Sequence, residues 1–223
     1  MLKGKRILVT QADEFMGPAI CAALAAQGAE VIADSAPLID LEAPAALLAR
    51  SGRIDVLVAN LALRAATSPA TEASDEEWRE AFATLVDPLQ RLVRAALPPM
   101  IERRSGKVVV IGSASALRGM KRASSYSAAR GAQLAYVQAV GVEVAPHGVQ
   151  VNAVAQNFVD NPTYFPAEVQ ANPRFQERLA REVPLGRLVA ADEDAAFVAY
   201  LCSDAANCFV GQVFPLCGGW VTR

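Results

Sequence analysis

Tyr126 comes thirteen residues beyond Ser113, and Arg130 follows Tyr126 by four. On a helix that i, i+4 spacing stacks a guanidinium beside a phenol. A nearby cation favours the tyrosinate, lowering a reference pKa of about 10 and leaving a general base suited to near-neutral pH. Ser113 closes an apolar, β-branched run and is expected at the carboxyl end of a strand, where open α/β sheets form their crevice. There its hydroxyl can donate to or accept from the same substrate oxygen that the phenol serves. Taken singly, a helical Tyr or Arg is packing or solvated surface and a Ser after a strand is a cap. At this spacing the three together point to acid–base chemistry at a substrate oxygen.

The elements that must position these residues are legible in the hydrophobic pattern. Short β-branched runs at 6–10, 30–33, 56–59, 107–111, 149–154 and 212–216 read as strands. Helical periods fill the intervals at about 17–27, 44–50, 75–94, 124–144, 173–182 and 192–202. Alternation of this kind predicts an α/β fold: a doubly wound, Rossmann-like parallel sheet with helices on both faces. Ser74 followed by Glu77 forms a capping box for the third helix. With no repeat, low-complexity tract or Pro/Gly/Ser linker, residues 1–223 are expected to form a single domain.

The loop after the first strand decides what such a fold could bind. A pyrophosphate reaches the amides of a helix N-terminus only across a glycine-rich turn. Here the turn reads Thr10-Gln-Ala-Asp-Glu-Phe-Met-Gly17, with one glycine at its end, Phe15 in its middle and two carboxylates, Asp13 and Glu14, that repel phosphate. Only 20 residues, 35–54, separate the second strand from Asp55, short for an adenosine-binding half. Asp34 stands where an acidic residue would hold a ribose, but without a phosphate cradle it reads as a remnant or a local cap. The expectation is a fold without a nicotinamide cofactor.

Composition narrows the partners. A chain of 223 residues, 53% hydrophobic with 21 basic and 23 acidic side chains, carries a formal charge of -2, which gathers neither nucleic acid nor anionic lipid. No leader with a cleavage site and no membrane-length apolar run is present, so a cytoplasmic protein is expected. Cys21, Cys202, Cys208 and Cys217 have no C-x-x-C spacing and one histidine, His147, for company; they read as reduced structural thiols, and no metal site is expected.

On Ser113, Tyr126-Ser-Ala-Ala-Arg130 and the filled first loop, the chain resembles the short-chain dehydrogenase/reductase superfamily over nearly its whole length. Within it, the halohydrin dehalogenases are most similar, having Tyr-x-x-x-Arg where dehydrogenases have Tyr-x-x-x-Lys. Val58-Ala-Asn-Leu-Ala62 stands where dehydrogenases read Asn-Asn-Ala-Gly, Leu85 where they carry a tetrad asparagine, and Gln156-Asn-Phe-Val159 where they have Pro-Gly. The resemblance implies catalytic Ser113, Tyr126 and Arg130 acting without cofactor on a haloalcohol or epoxide. It also implies a halide site formed by Phe15, Gln156, Asn157, Phe158 and Val159, closed by Tyr164 or Phe165, and a homotetramer. Aromatic edges and turn amides suit a weakly hydrated anion; the bland alternative makes Phe15 and Phe158 core aromatics. Two other readings stay open, an NAD(P)-dependent carbonyl reductase and a non-catalytic regulator. Trp220 reads as packing. Helices 75–94 and 124–144, the latter with Leu134, Tyr136, Val137 and Val140, are expected to pair with symmetry mates in a four-helix bundle.

Overall fold

The computed structural model describes residues 1–222. Six strands, β1 (Arg6–Thr10), β2 (Glu30–Asp34), β3 (Val56–Asn60), β4 (Gly106–Ser113), β5 (Val149–Gln156) and β6 (Val213–Leu216), form one sheet in the order β2-β1-β3-β4-β5-β6. Every neighbouring pair is parallel. β3 and β4 are buried along their whole length, which is why they read as unbroken apolar runs. β4 and β5 extend further than the sequence pattern predicts, and the extension matters. It makes Ser113 the register partner of Gln156, setting the candidate serine beside the first residue of the candidate halide turn.

The helices are α1 (Gly17–Ala26), α2 (Ala43–Ser51), α3 (Asp75–Leu85), α4 (Asp87–Glu102), α5 (Ser115–Arg118), α6 (Ser124–Val144), α7 (Ala167–Gln170), α8 (Pro173–Glu182) and α9 (Ala191–Cys202). α1 and α9 cover one face of the sheet; α2, α4 and α6 cover the other, giving two apolar cores. The short α5 and α7 have no counterpart in the predicted pattern. No helix among the described residues is long and apolar enough to cross a membrane.

Three expectations need correction. The helix predicted over 75–94 is two helices broken at Val86, because Pro88 has no N–H to return to the carbonyl of Thr84; the second runs on to Glu102. The capping box is half made. Ser74 accepts the Glu77 amide at 3.1 Å, but the Glu77 carboxylate is taken by the Ser68 hydroxyl. Leu134 and Val137 are buried in this chain's own core, leaving Tyr136 and Val140 half-exposed on the outer side of α6. α6 sits that deep because Gly112 in β4 gives it room: a Cβ there would lie 2.9 Å from Leu134 Cδ2.

Candidate active site

α6 delivers two of the three candidate residues. Its buried stripe runs Tyr126, Arg130, Gln133, Leu134, Val137, Gly141, a helical period that points the first turn at the carboxyl end of β4. The Arg130 guanidinium carbon lies 5.1 Å from the centre of the Tyr126 ring. Arg130 is fully buried; its Nη1 donates to the carbonyl of Ile111 at 3.1 Å and to Gln133 Oε1 at 2.9 Å. Nε and Nη2 have no hydrogen-bond partner among the described residues, while the phenols of Tyr126 and Tyr164 lie within electrostatic reach.

Burial alone would push the Tyr126 phenol up. The Arg130 charge, helped by the nearby Tyr164 and Ser113 hydroxyls, outweighs that cost and holds the phenol below its ordinary value. Tyr164 goes the other way: burial first, then the neighbouring Tyr126, push it up, and its proton is committed to the carbonyl of Leu63. Two phenols thus share one guanidinium, and their surroundings drive them apart, so Tyr126 is the one able to serve as base. Ser113 Oγ takes the Ser115 amide at 3.2 Å and lies 2.9 Å from the buried Ser115 hydroxyl, which fixes its rotamer.

The first loop is folded shut. The Phe15 amide, one of those a phosphate would need, donates to Thr163 Oγ1 at 3.1 Å, and the Phe15 ring meets Tyr164 edge-on at 5.2 Å. Gln11 Oε1 accepts the Ala62 amide at 2.5 Å, and Asn60 Nδ2 donates to the carbonyls of Gln11 and Glu14. A Cβ on Gly17 would lie 2.5 Å from the carbonyl oxygens of Gln11 and Ala12, so this glycine serves the loop's own compaction. Asp34 accepts the Ala36 amide and pairs with Arg50 at 2.5 Å, a local cap and surface ion pair. These residues do not fit a dinucleotide.

At the other end, Gln156, the last residue of β5, and Asn157, Phe158 and Val159 after it line the same cavity, of about 420 Å³, that Ser113, Tyr126 and Phe15 line. The turn differs from a simple nest of amides. Asn157 Oδ1 accepts the Phe158 amide at 2.9 Å, and the Asn157 amide donates to the carbonyl of Leu216. That orientation leaves Asn157 Nδ2, a buried donor, without a partner among the described residues. The Gln156 side chain donates through Nε2 to Asp194 at 2.6 Å; burial pushes that carboxyl up to about 7. Phe15 and Phe158 both have positive φ, 53° and 52°, a backbone state costly for an aromatic residue and concentrated at functional sites. Tyr164 and Phe165 both line the cavity, Phe165 by stacking on Phe158 at 6.0 Å. Trp220 packs against Phe158 from outside the cavity, beneath Arg118.

Sequence reasoning missed Gln133, Ser115, Arg64 and Arg178. Gln133 carries a signal, being a polar residue on the buried stripe of α6. It bridges Arg130 to the carbonyl of Leu85 at 2.7 Å, a carbonyl left open where α3 breaks from α4. Arg64 and Arg178, both cavity-lining, belong to segments whose fold had to be seen first. Among the described residues, no cluster of side chains could hold a metal ion.

Residues 40–221 match the family model described as enoyl-(acyl carrier protein) reductase. A putative ketoacyl reductase of Streptomyces coelicolor is 34% identical over 78% of this chain and 70% of its own length. The 3-oxoacyl-[acyl-carrier-protein] reductase FabG of Escherichia coli is 29% identical over 97% of each chain. Among solved structures, one described as a dehalogenation enzyme superposes with a TM-score of 0.92 at 35% identity, covering 99% of this chain and 100% of the other. A halohydrin dehalogenase bound to ethyl (2S)-oxiran-2-ylacetate gives 0.89 at 26% identity, with 98% of each chain covered.

Proposed function

Because the chain belongs to the short-chain dehydrogenase/reductase superfamily and, within it, to the halohydrin dehalogenases, we propose that it converts vicinal haloalcohols to epoxides without a cofactor, releasing halide and a proton. The observation that supports this reading best is that one cavity of about 420 Å³ joins the Tyr126 phenol to an aromatic turn with an unpartnered amide donor, beside a first loop closed to phosphate.

In this reading Ser113 holds the substrate hydroxyl and Tyr126, kept acidic by Arg130, removes its proton. The oxygen forms a bond to the neighbouring carbon as the carbon–halogen bond breaks, and the halide leaves with the bonding pair. The chain contributes positioning and stabilisation of the leaving anion. Asn157 Nδ2 and the positive ring edges of Phe15 and Phe158 receive the halide, and Tyr164 and Phe165 close the pocket. Reversed, the site opens epoxides with small anions. The working form in this reading is a cytoplasmic homotetramer, assembled partly through the outer faces of α3 and α6, where Trp78 stacks on Phe82 at 4.8 Å.

Halide release from 1,3-dichloro-2-propanol or 1-bromo-2-propanol, with no nicotinamide present, tests the proposal. Release that disappears in Tyr126→Phe supports it. Absence of release, together with carbonyl reduction that consumes NADPH, would establish the reductase reading favoured by the reductases among its relatives.

A further inference from the structure

The cavity has a charge asymmetry that dehalogenation does not require. Among the described residues its charged lining residues are both cations, Arg64 and Arg178, and no carboxylate lines it. Arg178 stands on α8 with its guanidinium carbon 5.4 Å from the centre of the Phe158 ring. Glu182, one turn on, takes its Nε at 3.1 Å, which holds the side chain across the cavity wall and leaves both Nη groups without a protein partner among the described residues. Arg64, by contrast, has no ion pair among the described residues. It follows Leu63, whose carbonyl receives the Tyr164 hydroxyl, so the segment that carries it is tied to the cluster around Tyr126. Both arginines are largely exposed at the mouth, whereas Arg130 is sealed behind the tyrosines.

We propose that Arg64 and Arg178 form a carboxylate subsite at the mouth, and that the preferred substrates are short haloalcohols bearing a carboxylate on the carbon chain beyond the carbinol. This rests on the dehalogenase reading. A planar guanidinium with two free donors suits a carboxylate, and an unpaired Arg64 beside an Arg178 that Glu182 engages through Nε alone favours an anion over its neutral analogue. The chemistry is unchanged: Tyr126 takes the hydroxyl proton, the C–O bond forms, halide leaves with its electron pair, and the carboxylate emerges intact on the epoxide. Exposed charge pairs are individually weak, so the two together are expected to favour the anion by about tenfold.

The test compares halide release from 4-chloro-3-hydroxybutanoate and from its primary amide, in buffer of low ionic strength, for the parent protein and for Arg64→Gln/Arg178→Gln. The expected result is a kcat/KM ratio of about ten in favour of the carboxylate, carried in KM and collapsing towards one in the double variant. Because both substrates are read on the same protein sample, partial misfolding cancels from the ratio. Equal kcat/KM values in the parent, or a ratio that survives in the variant, overturn the carboxylate subsite while the dehalogenase reading stands. No halide release from either substrate, or from simple halopropanols, overturns both.

Discussion

Gln133 offers the sharpest test of how the base is tuned. Its amide spans a gap that nothing else among the described residues fills, accepting from Arg130 and donating to the carbonyl of Leu85. Gln133→Leu keeps the volume and removes both bonds. The open carbonyl then costs about 1–3 kcal/mol, and at about 2–4 °C per kcal/mol for a chain of this size Tm should fall by roughly 2–12 °C. The catalytic effect is separate. With the guanidinium 5.1 Å from the Tyr126 ring, an effective dielectric of about 20 makes its field worth about 3 kcal/mol, or roughly 200-fold in tyrosinate at fixed pH. An Arg130 held by Ile111 alone should lose a fraction of that field, so halide release near pH 7 should drop several-fold and recover as pH rises. Gln133→Glu should be worse near neutrality, because a carboxylate beside Arg130 Nη1 cancels the field rather than loosening it. The assay is halide release against pH at saturating haloalcohol, with Tm measured on the same samples. A purely structural Gln133 would lower Tm and leave the pH profile where it was; that outcome in both variants refutes the reasoning.

Three further outcomes are expected. Arg130→Gln should nearly abolish halide release at neutral pH with partial return in alkaline buffer, and Arg130→Lys should retain weak activity over a range moved upward; a parent-like profile for Arg130→Gln would show that Tyr126 is not the base. Asp194 has its carboxyl raised from 3.8 to about 7 by burial, so its contribution is complete below pH 4 and is lost as pH climbs towards 7, a difference of about 4 kcal/mol; Asp194→Asn should therefore match the parent Tm near pH 4 and exceed it by several degrees at pH 8, as calorimetry at the two pH values would read. Bromide should inhibit epoxide opening by azide competitively, and Asn157→Ala should weaken both anions together, whereas unequal losses in the steady-state constants would argue against a shared site.

How much of this was legible follows from which forces act locally. The six strands could be read because a sheet covered on both faces demands continuous apolar runs, and Tyr126 with Arg130 because one helical turn brings i and i+4 together whatever surrounds them. The closed first loop was foreseeable from Phe15 and the missing glycines, since sterics need no partner. What the loop does with its amides was not. Phe15 bonds to Thr163, 148 residues away, and no local pattern encodes that pairing. The break at Val86 had a signal in Pro88, outweighed by the strong helical period on either side. Gln156 shows the remaining limit. Its position beside Ser113 follows from strand register, but its side chain faces Asp194 because a buried carboxyl on α9 needs a donor, and that demand arises only in the assembled fold.

The bridge from Arg130 through Gln133 ends at a backbone carbonyl. An amide donates at one end and accepts at the other without passing a proton along, and a carbonyl on a broken helix has none to exchange. Seen as plumbing, the inner side of the base is a blind pipe. In the proposed dehalogenation, a proton collected by Tyr126 would not leave along this bridge and would return on the cavity side, where substrate enters and the anion departs. Each cycle would then move a proton and its counter-ion through one mouth, keeping the interior electrically level, and turnover should respond to how readily buffer molecules meet the proton there.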